Sequence, residues 1–156
     1  MNVGEFQMSV NILIVDDHEA VRDGVRVIFN RERPQWEICG EADNGQSAID
    51  MAMRFRRDII LLHITMPGLS GLEAASRISG LGLPGQILIF TAHESGQLAQ
   101  ESRRVGARGY VTKSDAARQL VRAIETLLSG RTFFGGPEKQ EAGEKDLDQE
   151  SSFDSL

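Results

Sequence analysis

Hydrophobic positions along the chain fall into five short continuous runs separated by longer amphipathic stretches. The runs are "VNILIVD" (10–16), "WEICGEA" (36–42), "DIILLHI" (58–64), "QILIFTA" (86–92) and "GYVTK" (109–113). Unbroken apolar runs of this length, rich in β-branched residues, predict strands covered on both faces, as in a parallel sheet. The intervening stretches carry helical spacing. Ala20, Val21, Val25, Ile28 and Phe29 recur three and four residues apart, as do Ala48, Ile49, Ala52 and Phe55. Ser70 and Glu73 form a capping box ahead of Leu72, Ala75 and Ile78. A more polar helix is predicted over 95–106. The last, over 115–129, has Ser114 as its N-cap, an apolar face of Ala117, Leu120, Val121, Ile124, Leu127 and Leu128, and Gly130 just past its end.

Strict alternation of strand and helix predicts an α/β fold with a doubly wound, five-stranded parallel sheet, because each crossover lays its helix on a face of the sheet. A chain of 156 residues suits one such domain. The pattern places it at 10–131, after an N-terminal extension (1–9) and before a tail or linker (132–156). Seven acids against two lysines in 137–156, with few apolar residues, predict disorder there.

Charge and cysteine content narrow the function classes. The formal charge of −6 sits almost entirely in the tail, so the body has no net charge to attract nucleic acid or an acidic membrane. Arg54, Arg56 and Arg57, and Arg103, Arg104 and Arg108, lie near acids on amphipathic stretches and read as solvated faces. Cys39 is the only cysteine and suits ordinary packing. With no signal-peptide pattern and no apolar run of about 18 residues, a cytoplasmic protein with no membrane contact is expected.

In doubly wound folds, ligands bind outside the carboxyl ends of the strands. The polar residues at those ends are Asp16 and Asp17, His63, Thr91, and Lys113. Paired carboxylates suit a divalent cation, while a lysine and a hydroxyl suit phosphoryl oxygens.

The segments "VDDHEAVRDGVR", "DIILLHITMPGLSG", "FTAH" and "GARGYVTK", in this order over about residues 10–131, resemble the receiver domain of two-component response regulators, most closely the NarL/FixJ-type subfamily. The resemblance implies a (βα)5, flavodoxin-like receiver fold and bacterial phosphorelay signalling. Carried over residue by residue, Asp16 and Asp17 match the metal-binding acids, and Thr65 the position whose backbone carbonyl binds the metal. Thr91 matches the switch hydroxyl, Tyr110 the aromatic that swings between exposed and buried rotamers, and Lys113 the residue that pairs with the phosphorylated side chain. The phosphoacceptor aspartate falls at position 63, and here it is histidine.

That substitution removes both the nucleophile and an anionic oxygen ligand. Imidazole is a poor ligand for Mg²⁺, which prefers oxygen, so the family's Mg²⁺ is expected to bind weakly or not at all. No enzymatic activity and no catalytic residue are expected. Asp58, five residues upstream of His63, is too far to replace the acceptor. The resulting reading is a phosphorylation-independent interaction module, a pseudo-receiver. Its partner surface would be residues 95–130, used for a homodimer or a protein partner. A histidine kinase is a further candidate partner, and DNA would be reached only through another domain. "EKDLDQESSFDSL" resembles the end of a linker toward a LuxR-type helix-turn-helix. The alternatives are a transcriptional regulator cut before that domain and carrying an inactivating substitution, or a repurposed site. Repurposing would mean His63 accepting a phosphoryl group, or His18, His63 and His93 with Asp17 holding Zn²⁺ or a similar ion.

Overall fold

The computed structural model describes residues 9–134. Six parallel strands, β1 (Asn11–Val15), β2 (Glu37–Ala42), β3 (Ile59–Leu62), β4 (Gln86–Thr91), β5 (Gly109–Thr112) and β6 (Phe133–Phe134), form one sheet in the order β2-β1-β3-β4-β5-β6. Five helices connect them: α1 (Glu19–Glu32), α2 (Gly45–Arg54), α3 (Gly71–Gly80), α4 (Gly96–Arg104) and α5 (Ala116–Leu128). The chain leaves β1 for β2 on one side and returns for β3 on the other. The crevice of a doubly wound sheet therefore opens where β1 and β3 end.

The continuous apolar runs divide their residues between two cores. Ile12, Ile14, Ile59, Leu61, Leu88, Phe90 and Val111 pack with Val25 and Phe29 of α1 and with Leu120, Val121, Ile124 and Leu127 of α5. Their neighbours Leu13, Val15, Ile60, Leu62, Ile87, Ile89 and Tyr110 pack on the other face with Ala48, Ile49 and Ala52 of α2 and Ala74, Ala75 and Ile78 of α3. Period-two alternation thus feeds both layers, and each buried Ile or Leu contributes about 1.5–3 kcal/mol. Ala20, Ala117 and Leu128, which the sequence pattern assigned to apolar faces, are exposed.

Helix starts follow side-chain caps. Asn44 accepts from the Ser47 amide at 2.8 Å, Ser70 from Glu73 at 3.2 Å and Ser95 from Leu98 at 3.3 Å. Ser114 is not a cap. Lys113–Asp115 form a 3-10 turn, α5 begins only at Ala116, and the Ser114 hydroxyl lies 3.3 Å from that of Thr112.

The sheet also has one strand more than the five expected. Phe133 donates its amide to Arg108 O at 3.0 Å and pairs with Gly109, and its ring is 1% exposed. Gly109 allows this approach, since a Cβ there would lie 2.9 Å from Phe133 O. The ordered sheet consequently runs past the boundary drawn at 131. Residues 1–8 of the expected extension and 135–156 of the expected tail lie outside the described residues.

Arg57 departs from the solvated-face reading. It is 6% exposed, with Nη1 donating to Phe55 O at 2.9 Å and Nε without a hydrogen-bond partner. With Gln86 and Arg108 it lines a cavity of about 430 Å³. Among the described residues, no helix is long and apolar enough to cross a membrane.

Candidate functional site

Asp16 continues β1 beyond its last strand residue, its amide donating to Ala42 O of β2 at 3.0 Å. Its carbonyl accepts from Arg22 Nη1 of α1 at 2.6 Å, and Arg22 Nε donates to Glu41 Oε1 at 2.7 Å. Arg26 also pairs with Glu41. A strap from α1 to β2 thereby fixes the backbone under the acidic pair. The sequence reading missed Arg22 and Glu41, which are 19 positions apart and follow no local spacing rule.

Asp16 is 1% exposed. Its Oδ1 accepts from the His18 amide at 2.9 Å and lies 3.0 Å from His18 Nδ1. Lys113 Nζ stands 2.6 Å from its Oδ2. Burial alone would push the Asp16 carboxyl up, but the Lys113 ammonium, the His18 amide and the nearby His63 together hold it below the ordinary aspartate value.

The sign of the linkage follows from that direction. Because the folded-state value is depressed, Asp16 contributes stability above the ordinary aspartate range and loses it as pH falls through the lowered value. Lys113→Met removes the largest lowering influence, the Lys113 hydrogen bond, and leaves burial less opposed. Its urea midpoint is therefore expected to fall less between neutral pH and about pH 3 than that of the parent chain. Equal falls in the two proteins would count against the ion pair.

His63 follows β3 directly and is 6% exposed. Its amide donates to Val15 O at 2.9 Å. The ring Nδ1 is 3.3 Å from Phe90 O and 3.7 Å from Asp16 Oδ2, and Nε2 is 3.9 Å from Asp17 Oδ1. The His18 ring stands edge-on to it, with centroids 5.9 Å apart. Gly71, the first residue of α3, closes over this segment by donating to Ile64 O at 2.7 Å.

Thr91, 1% exposed at the end of β4, accepts the His93 amide on its hydroxyl at 3.3 Å. Tyr110 is buried in β5; its hydroxyl donates to His93 O and accepts from the Ser95 amide at 3.2 Å. Ser95 is the cap of α4, so β5 holds the loop that starts this helix. Thr65 is exposed in the loop after β3.

The structure thus gathers Asp16, Asp17, His18, His63 and Lys113 at one edge. Among the described residues, one donor atom from each of Asp16, Asp17, His18 and His63 lies within 4.8 Å of the others. His93 is outside this group, which corrects the three-histidine set with Asp17. Its place is taken by Asp16, and the exposed His93 enters the site region through its backbone.

A model of the response regulator receiver domain matches residues 12–125. The chain belongs to the response regulator receiver family. This receiver domain is 31% identical over 143 residues to the response regulator UvrY of Escherichia coli K12, covering 92% of this chain and 65% of that protein. It is 37% identical to a transcriptional-regulator sequence of Pseudomonas aeruginosa over 79% of this chain and 58% of the relative. The chain therefore spans less than two-thirds of the length of these curated relatives. Among solved structures it is similar to a two-component response regulator of the LuxR family from Aurantimonas, with TM-score 0.79, 35% identity, 90% coverage of this chain and 99% of that one. It also shares its fold with the non-phosphorylated receiver domain of RcsB from Escherichia coli, at TM-score 0.74 and 21% identity, covering 81% of this chain and 98% of that one.

Receiver domains bind Mg²⁺ at this acidic edge. The donors here fit that ion poorly, because the third side chain presents nitrogen where an octahedral Mg²⁺ shell demands oxygen.

Proposed function

We propose that this receiver domain works as a phosphorylation-independent interaction module. The observation that carries this reading is His63, buried at the carboxyl end of β3 with its ring between Phe90 O and Asp17. The position that supplies the acceptor carboxylate in the family supplies an imidazole instead. Lys113, which would pair with a phosphorylated side chain, already neutralises Asp16.

The switch residues support a conformation set by the sequence. Tyr110 holds the loop before α4 from the inside of the fold, and Thr91 holds the same loop through the His93 amide. We assign partner binding, or pairing with a second copy, to the surface formed by α4, β5 and α5, and DNA recognition to a separate domain. A kinase docking at this edge would find no carboxylate to phosphorylate at position 63.

Incubation with acetyl phosphate and Mg²⁺, followed by intact-mass measurement, tests the reading. The parent chain is expected to gain no phosphoryl group, while His63→Asp gains one that is labile to base. A phosphoryl group on the parent chain would sink the proposal.

A further inference from the structure

The donor set at the ends of β1 and β3 points to a different class of ion. A carbonyl oxygen can only accept a hydrogen bond, so the contact with Phe90 O at 3.3 Å places a proton on His63 Nδ1. In the neutral ring the lone pair then belongs to Nε2, 3.9 Å from Asp17 Oδ1. That oxygen is withdrawn from solvent and accepts no hydrogen bond. Two lone-pair atoms therefore face each other across a gap wider than a hydrogen bond, an arrangement that a cation between them relieves. A backbone carbonyl on the opposite ring nitrogen is also what orients metal-ligating histidines. His18 adds a second imidazole, its Nδ1 lying 3.0 Å from Asp16 Oδ1 and 3.2 Å from Asp17 Oδ1.

We propose that Asp16, Asp17, His18 and His63 form a site for a borderline divalent transition ion of the Zn²⁺ class, in place of Mg²⁺. Two imidazoles and two carboxylates are a donor set that Zn²⁺ accepts in tetrahedral geometry, with bonds of about 2.0–2.2 Å. Such bonds bring donors to about 3.3 Å from one another, so the present set, within 4.8 Å, must contract. The pieces that can move are the exposed His18, with 59% of its side chain accessible, and Asp17, with 25%. Asp16 and His63 are buried and supply the fixed half. Asp16 keeps Lys113 on Oδ2 and offers Oδ1, which accepts the His18 amide and faces His18 Nδ1 at 3.0 Å. The assignment stands apart from the phosphorylation reading, because it concerns only the donor set.

Calorimetric titration of the full chain with Zn²⁺ and, separately, with Mg²⁺ tests it, using the parent protein and the His63→Ala, His18→Ala and His93→Ala variants. One Zn²⁺ per chain is expected, bound at least about 100-fold more tightly than Mg²⁺. His63→Ala and His18→Ala should each weaken Zn²⁺ by at least about tenfold, and His93→Ala should leave it unchanged. Mg²⁺ binding as tight as Zn²⁺, no Zn²⁺ binding, a smaller loss in either ligand variant, or dependence on His93 would each overturn the site. Thermal melting in the presence of a chelator checks that each variant is folded. Should one fail, imidazole nitrogen NMR of the parent chain decides. Zn²⁺ is expected to move the His63 Nε2 and His18 resonances and to leave those of His93 in place, and an unmoved His63 resonance overturns the proposal.

Discussion

Alanine at position 71 is expected to lower stability by about 3 kcal/mol and to displace the backbone that carries His63. A Cβ at Gly71 would lie 1.9 Å from His63 O and 2.8 Å from Ile64 Cα. Both are backbone atoms beside a buried strand, so no side-chain rotation relieves the clash. The same residue donates to Ile64 O, and any shift also disturbs the bond that closes the loop between β3 and α3. A urea titration reads the stability loss, and amide chemical shifts of His63 and Asp16 read the displacement. Gly24→Ala is the control, because nothing lies within 4 Å of a Cβ at that position in α1. It should be neutral or stabilising by up to about 1 kcal/mol. Indistinguishable midpoints for the two variants would refute the close approach at position 71.

The second large effect is at the far edge of the sheet. Phe133→Ala is expected to cost about 3–5 kcal/mol, the usual range for emptying a buried phenylalanine site. Phe133 is 1% exposed and belongs to the core that contains Leu88, Leu127 and Ile124. Its amide also joins the sheet at Arg108 O, but that bond survives the substitution, so the loss measures packing. A midpoint change worth less than about 1 kcal/mol would mean that β6 is not part of the cooperative fold.

These residues also mark where the sequence was and was not legible. The inner strands announce themselves through burial on both faces, as in β3, where Ile59, Ile60, Leu61 and Leu62 are all buried, whereas the edge strand β2 carries Glu37 and Glu41 and buries only Ala42. A two-residue strand such as Phe133–Phe134 has no room for a pattern, so it lies beyond the range 10–131 over which the motifs run. Arg57 was misplaced for a related reason. It follows Arg54 and Arg56 in sequence, yet α2 ends at Arg54, so helical spacing says nothing about which way residue 57 turns. For the candidate site, the topology alone singles out Asp16, Asp17, His63, Thr91 and Lys113, because strand ends converge in this fold. The Arg22–Glu41 strap and the replacement of His93 by Asp16 in the donor group depend on side-chain positions across elements, which no spacing rule encodes.

The grip on His93 has a mechanical consequence. Its amide is tied to Thr91 and its carbonyl to Tyr110, and two residues later Ser95 both meets Tyr110 and caps α4. Residues 91–95 therefore behave as a short bracket bolted at both ends, with little slack between the pocket and the start of the helix. Load on one end reaches the other by displacement of a single peptide segment, whatever chemistry supplies it.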